Sequence, residues 1–434
     1  MERSIIQKLL EWKSASIRKP LIVRGARQVG KSFSIIEFGL NHFEGNLHVV
    51  NFESNPDWHP VFEKNFDVKR IVAELEIFLG KRIRAGKDLL FFDEIQECPK
   101  AIMCLRYFYE QMPELHLIAA GSLIEFALKD ISFPVGRVQL LNMHPMSFFE
   151  FLMATDKELL AGEIIKKPQE LSDNIHQLLN DELKKYFFIG GMPECVKTYV
   201  ETGSMTEVFA IQSNLINTFR QDFAKYAQYS DKRCLNAVLN SVAQQVGAQI
   251  KYSRLAEGFS NPTIKKAFEL LETARLIKKV VASNPGGMPL GAGANDKIFK
   301  AVMLDIGLMS NLCGLNIAKE FQQTDLLSVF RGKMAEQFVG QELVAEGNGD
   351  LFYWSRQAKS SNAETDYLVE TSEGISPVEV KSGSAGSLKS LHILLNTYPN
   401  VKKAYVFSSA RFGELPEQKI SFFPLYFVAS SVKS

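Results

Sequence analysis

Residues 25–32 spell Gly-Ala-Arg-Gln-Val-Gly-Lys-Ser, and farther along the apolar run "LLFF" ends in Asp93 and Glu94. These residue types handle phosphate. The glycine-framed loop lets the backbone N–H groups of Gly25, Ala26, Arg27, Gln28, Val29, Gly30, Lys31, Ser32 and Phe33 turn toward phosphate oxygens, at a helix N-terminus that favours anions. Lys31 would then reach the β- and γ-phosphates, and the Ser32 hydroxyl would ligate Mg²⁺. Asp93, at the C-terminal end of a buried parallel strand, is expected near that ion. Glu94 would polarise the attacking water as general base. A strand that merely ends in acidic turn residues is the plain alternative, and the upstream loop weighs against it.

Two further residues have two readings each. Ser122 ends the strand-like "LHLIAAGS" and either contacts the γ-phosphate or caps the helix that follows. Arg137 precedes a further strand and is either an arginine finger, in cis or for a neighbouring subunit, or a solvent-facing cation. Arg24 and Arg27 are rivals for the phosphate contact.

A second constellation lies near the C-terminus. Asp366 is followed after twelve residues by Glu379-Val380-Lys381, and Glu336 stands on a preceding helical segment. Alternation along "SPVEVKSG" puts Glu379 and Lys381 on one strand face and Val378 and Val380 on the other. Two carboxylates sharing Mg²⁺ or Mn²⁺, with Lys381 beside them, are the parts of a metal-dependent nuclease. An ordinary surface pair is the competing reading.

The elements that must position these groups follow from periodicity. Strands are expected near residues 21, 48, 90, 117 and 138, alternating with helical patterns. That arrangement is α/β: an N-terminal P-loop NTPase domain with a doubly wound parallel sheet, over residues 1–156. The Asp-Glu pair and the strand between it and the loop fit ATPases that use a catalytic glutamate. Residues 157–245 read as a helical linker region, with "GGMPE" as a tight turn.

Residues 246–312 carry the outline of a winged helix-turn-helix. Ile264, Ala267, Phe268 and Leu271 share one helical face, and "LIKKVVAS" and "KIFKAVMLD" frame a two-stranded wing. Residues 251–280 hold seven Lys/Arg against three Glu, a net +4 suited to DNA phosphates. A protein-contact role is the alternative reading. Residues 313–434 read as helix, three strands, helix and strand, an α/β restriction-endonuclease-like order. On its helix Phe330, Met334, Phe338 and Leu343 stand near core spacing.

Bulk composition narrows the class. The chain has 434 residues, 23% charged, with a net charge of +1, which argues against a broadly basic nucleic-acid binder. Five scattered cysteines without a C-x-x-C pair point to a reducing compartment and away from disulfides or zinc. The N-terminus lacks the apolar core of a signal peptide, and the best apolar run, "LIAAGSLIEFAL", is interrupted by Ser122 and Glu125. A cytoplasmic protein without a membrane partner is expected.

Over nearly its whole length the chain resembles a prokaryotic family of AAA-type P-loop ATPases with a winged helix and a C-terminal domain of unknown function that is nuclease-like. "GARQVGKS", "FFDEIQ", "AAGSL", "GRV" before "HPMSFFEF", "GGMPECV", "TIKKAFELLETARLIKKV", "MLDIGLM", "RGKMAEQFVGQEL", "AETDYL" and "PVEVKSG" carry the resemblance. It implies ATP as the nucleotide, bound by Lys31 and Ser32, with Asp93 and Glu94 as the magnesium and water residues. DNA, a homo-oligomer or a regulatory protein are the partners to expect. A non-catalytic ATP-binding regulator with a degenerate nuclease-like domain is the alternative.

Overall fold

The computed structural model describes residues 3–122, 124–127, 134, 136–223, 230–315, 328–347, 350–358, 361–381 and 388–432. Side chains are described for all of these except 127, 328–331, 357, 358, 361 and 362. Leu123, Ser382 and Gly383, which end two of the motifs above, lie outside the described residues, as does the Phe330 side chain.

The chain divides into two compact units, residues 1–144 and 145–434. The first unit is a five-stranded parallel sheet of β1 (Leu21–Arg24), β2 (Leu47–Asn51), β3 (Leu89–Asp93), β4 (His116–Gly121) and β5 (Gln139–Asn142). Its spatial order is β2-β3-β4-β1-β5. All five expected strands are present, and the mixed α/β reading holds. β4 lies between β1 and β3 in space, although β2 separates them in sequence.

Burial explains which strands lie where. Every residue of β3 and β4 is buried, as central parallel strands require. β5 at the edge reads exposed, exposed, intermediate, intermediate. Helix Val68–Leu79 packs against the sheet through Val68, Ile71, Val72 and Leu75. Asp67 starts it by accepting from the Lys69 and Arg70 amides, and left-handed Gly80 ends it.

The second unit joins helices to an eight-stranded mixed sheet. Its strands are β6 (Ile277–Ala282), β7 (Asn295–Met303), β8 (Leu351–Ala358), β9 (Ser361–Thr371), β10 (Gly374–Val380), β11 (Ala404–Ser408), β12 (Gly413–Leu415) and β13 (Ile420–Pro424). The order is β12-β13-β11-β10-β9-β8-β6-β7. The antiparallel pair β6-β7 follows helix Asn261–Thr273, and β6 pairs with β8 in parallel. One sheet therefore runs across residues 312 and 313, where the sequence reading places a domain boundary. Helix Ser328–Glu346, strands β8 to β10, helix Lys389–Thr397 and β11 follow in the expected order.

Helix Ser328–Glu346 is registered by buried polar groups. Gln337 exchanges two hydrogen bonds with the Met303 backbone, each 2.9 Å. Gln341 accepts from the Ile306 amide at 2.8 Å, and Glu342 from the Phe148 amide at 3.0 Å. The Gln337 and Gln341 bonds fix the helix against the end of β7, and the Glu342 bond ties it to the start of helix Phe148–Ala154. No helix among the described residues is long and apolar enough to cross a membrane.

Candidate functional site

The loop 25–30 leaves β1 and enters helix Lys31–His42. Gly30 has φ +92°, which an L side chain rarely adopts. A Cβ on Gly25 would sit 2.2 Å from the Met143 carbonyl oxygen, so only glycine lets the loop pass that close. Arg3 braces the same turn, donating to the carbonyls of Val29 and His144, each at 2.8 Å. Sequence reasoning missed Arg3, because a lone cation ahead of a helix, outside any motif, has no periodic signal.

Lys31 Nζ donates to the Gly25 and Ala26 carbonyls at 3.0 and 2.8 Å, folding over its own loop. Ser32 Oγ donates to Asp93 Oδ1 at 2.8 Å, and Asn51 Nδ2 donates to Asp93 Oδ2 at 3.1 Å. Burial, reinforced by the charge of Glu94, raises the Asp93 carboxyl above its ordinary value despite those bonds. Glu94 has φ +49°, a costly backbone for a non-glycine residue and one associated with functional sites. Its Oε2 accepts from Gln96 Nε2 at 2.6 Å.

Ser122 is buried at the end of β4, and its Oγ accepts from Arg27 Nε at 3.4 Å. Arg24 turns to Asn142 Oδ1 at 2.8 Å and Glu125 at 3.4 Å. Ala26 and Val29 are buried, Gln28 has φ +63°, and Phe33 stands exposed on the first helical turn. The structure thus gathers residues 25–33, Asp93, Glu94 and Ser122 at one end of the sheet.

Arg137 is not gathered with them. β5 pairs with β1 in register Leu21↔Gln139, so Arg137 precedes the N-terminal end of β5 while the loop follows the C-terminal end of β1. Gln139 alone lies about 13 Å below the loop at about 3.3 Å per residue. Arg137 is farther still, and its guanidinium pairs with Glu110 at 3.3 Å. A finger role in cis does not fit this placement.

The C-terminal residues meet around an unexpected group. Lys300 of β7, 2% exposed, places Nζ 2.6 Å from Glu364, 3.0 Å from Glu336 and 3.3 Å from Asp366. Asp366 Oδ2 accepts from the Val380 amide at 2.7 Å, and Glu379 pairs with Lys381 at 2.6 Å. Burial, with Asp366 beside each, pushes Glu336 up to about 8 and Glu379 up to about 7. Burial alone would lower Lys300, but Glu336, Asp366 and Glu364 together hold it well above its ordinary value.

Glu336, Asp366, Glu379 and Lys381 are therefore neighbours. Lys300 and Glu364 were missed. Both had a signal: a lone lysine inside the apolar run "IFKAVM", and an acid two positions before Asp366 on the same strand face.

The basic surface expected over 251–280 is partly neutralised. Lys265 pairs with Glu269 at 3.7 Å, Lys278 with Asp350 at 2.9 Å and Lys279 with Asp296 at 3.1 Å.

An AAA domain family matches residues 17–152. Two domains of unknown function, DUF8612 and DUF4143, match residues 180–319 and 331–426. No curated protein matches the chain. Among solved structures, the Walker-type ATPase PabY2304 of Pyrococcus abyssi is 16% identical, covering 72% of this chain and 95% of its own, with a TM-score of 0.44. The ORC1 protein of Aeropyrum pernix in complex with DNA is 11% identical, with coverages of 73% and 92% and a TM-score of 0.30. The RuvB Holliday junction branch migration motor of Thermotoga maritima is 14% identical, with coverages of 66% and 90% and a TM-score of 0.29. Scores this low carry no functional argument.

The first unit thus matches an AAA domain family over residues 17–152 and has a P-loop NTPase-like fold, a five-stranded parallel sheet with a glycine loop between β1 and helix Lys31–His42. Its residues fit a nucleotide with Mg²⁺: a glycine cradle for phosphate, a lysine at its mouth, and a hydroxyl with a buried carboxylate as hard oxygen ligands.

Proposed function

We propose that the chain hydrolyses ATP and uses the nucleotide state as a switch. The carrying observation is the pairing of Ser32 Oγ with Asp93 Oδ1 at 2.8 Å, with Glu94 next in the chain and held by Gln96. Bound Mg²⁺ would offset phosphate charge. The chain's own residues do the rest: the loop amides orient the triphosphate, Lys31 leaves the Gly25 and Ala26 carbonyls for phosphate oxygens, and Glu94 takes a proton from water. A purely ATP-binding regulator has no use for a carboxylate positioned in this way. Glu94→Gln should keep ATP binding within a few-fold and lower turnover at least 100-fold, in the range of a lost general base. Unchanged turnover would sink the assignment.

For the second unit we favour a binding role over cutting. The ion pairs of Lys265, Lys278 and Lys279 reduce the charge left for DNA in the winged-helix outline, and a protein partner or a second copy suits it better. Residual DNA contact would appear as affinity falling steeply between 50 and 200 mM salt. The metal-dependent nuclease reading is tested by plasmid and linear DNA with Mg²⁺ or Mn²⁺, with and without ATP. Cutting by the native chain that Asp366→Ala and Lys381→Ala both abolish would restore it.

A further inference from the structure

We propose that Lys300 is the resident cation of the C-terminal carboxylate cluster, standing where a nuclease of this outline would hold a divalent metal. The inference is independent of the ATP-hydrolysis reading. Four carboxylates converge there, from helix Ser328–Glu346 (Glu336), β9 (Glu364 and Asp366) and β10 (Glu379). An ammonium has three N–H donors. Lys300 has three carboxylate partners within 3.3 Å, so donors and acceptors match one for one.

Access for a competing ion is closed on several sides. Lys300 Nζ lies 5.3 Å from the centre of the Tyr353 ring. Gln249 donates to the second oxygen of Glu364 at 2.7 Å. Gly247, with φ +83°, brings its backbone so near Glu336 that a Cβ would lie 2.6 Å from Oε2. A divalent ion needs oxygens at about 2.0–2.6 Å around a vacant centre, and the ammonium occupies that centre. Among the described residues no group of three or more acidic, histidine or cysteine side chains is arranged to hold a metal.

Lys300 and Lys381 face four carboxyl groups, and Glu379 Oε2 is buried without a hydrogen-bond partner. Carboxylate oxygens are thus present in number but, as they stand around the ammonium, are not arranged for a metal, and its removal would free them to close on one. Removing the Lys300 charge should convert the cluster into a divalent-cation site.

The test uses the full chain carrying Asp93→Asn, which disables the nucleotide-site metal, without ATP. Mn²⁺ binding is followed by calorimetry and by thermal melting. With Lys300 intact we expect no Mn²⁺ bound up to 1 mM and no change in melting. With Lys300→Met we expect one Mn²⁺ bound, a higher melting temperature on its addition, and both effects lost on adding Asp366→Asn. Should Lys300→Met fail to fold, Lys300→Gln with Glu364→Gln removes one charge of each sign and takes the same measurements. Mn²⁺ held by the Lys300 chain and lost with Asp366→Asn would overturn the proposal. So would folded Lys300 variants that bind none.

Discussion

Gln96 Nε2 lies 2.6 Å from Glu94 Oε2, and the other end of that amide, Oε1, is buried without a partner. Gly121 of β4 is why the amide fits, since a Cβ there would meet Gln96 Oε1 at 2.2 Å. Gln96 is thus a positioning residue for the carboxylate that would activate water. Gln96→Ala should lower the single-turnover rate about 10- to 100-fold, equivalent to about 1.4–2.8 kcal/mol, while the ATP dissociation constant stays within a few-fold. Gly121→Ala should reproduce that split by displacing the amide. A parallel loss of binding in both variants would mean that Gln96 only supports the fold.

Arg3 acts on the opposite part of the site. Its two 2.8 Å bonds tie the Val29 carbonyl of the phosphate loop to the segment after β5. Bonds from a charged donor contribute about 1.5–3 kcal/mol each. Arg3→Ala should therefore loosen the loop and weaken ATP binding at least 10-fold. The hydrolysis rate at saturating ATP should change little, because Glu94 and Gln96 remain in place. Titration with a fluorescent ATP analogue beside single-turnover hydrolysis separates the two.

Arg137 should be dispensable in an isolated chain. It pairs with Glu110 at the end of the sheet away from the loop. Arg137→Ala should leave turnover within about twofold at dilutions where sedimentation shows only monomer; a 10³-fold or larger loss is the signature of a finger. If such a loss appears only where the native chain associates, the arginine serves a neighbouring subunit.

The phosphate loop and the acidic end of β3 were legible because their chemistry is local: eight residues make the loop, and five make the strand and its acid. All five strands of the first sheet were legible for the same reason, as compact apolar runs. Lys300 was not, since its meaning depends on β7 meeting a helix that starts some thirty residues later and a strand beyond it. Arg137 was half legible: a residue that precedes a strand of a parallel sheet lies at the opposite end from a loop that follows one, and the pairing of β5 with β1 is what puts both on the same sheet edge. Pairing between distant segments decided both outcomes.

The motifs "GGMPE" and "MLDIGLM" also acquire a joint meaning through such pairing, and it gives a pH prediction. Asp305 starts helix Ile306–Leu312 by accepting from the Leu308 amide at 3.0 Å, and its other oxygen accepts from the Gly191 amide at 2.6 Å. Complete burial nevertheless outweighs these bonds and raises its carboxyl from 3.8 to about 6. The unfolded chain loses this proton near pH 3.8 while the folded chain keeps it to about pH 6. Between those values the native state binds more protons, so the contribution of Asp305 to stability is full below pH 3.8 and is lost as pH rises through 6. A rise from 3.8 to about 6 corresponds to a change on the order of 3 kcal/mol. Asp305→Ala should accordingly cost more stability at pH 4 than at pH 7, measured as the difference in urea unfolding free energy between native chain and variant. An equal cost at both pH values would mean that the Gly191 and Leu308 amides hold the carboxylate ionised throughout.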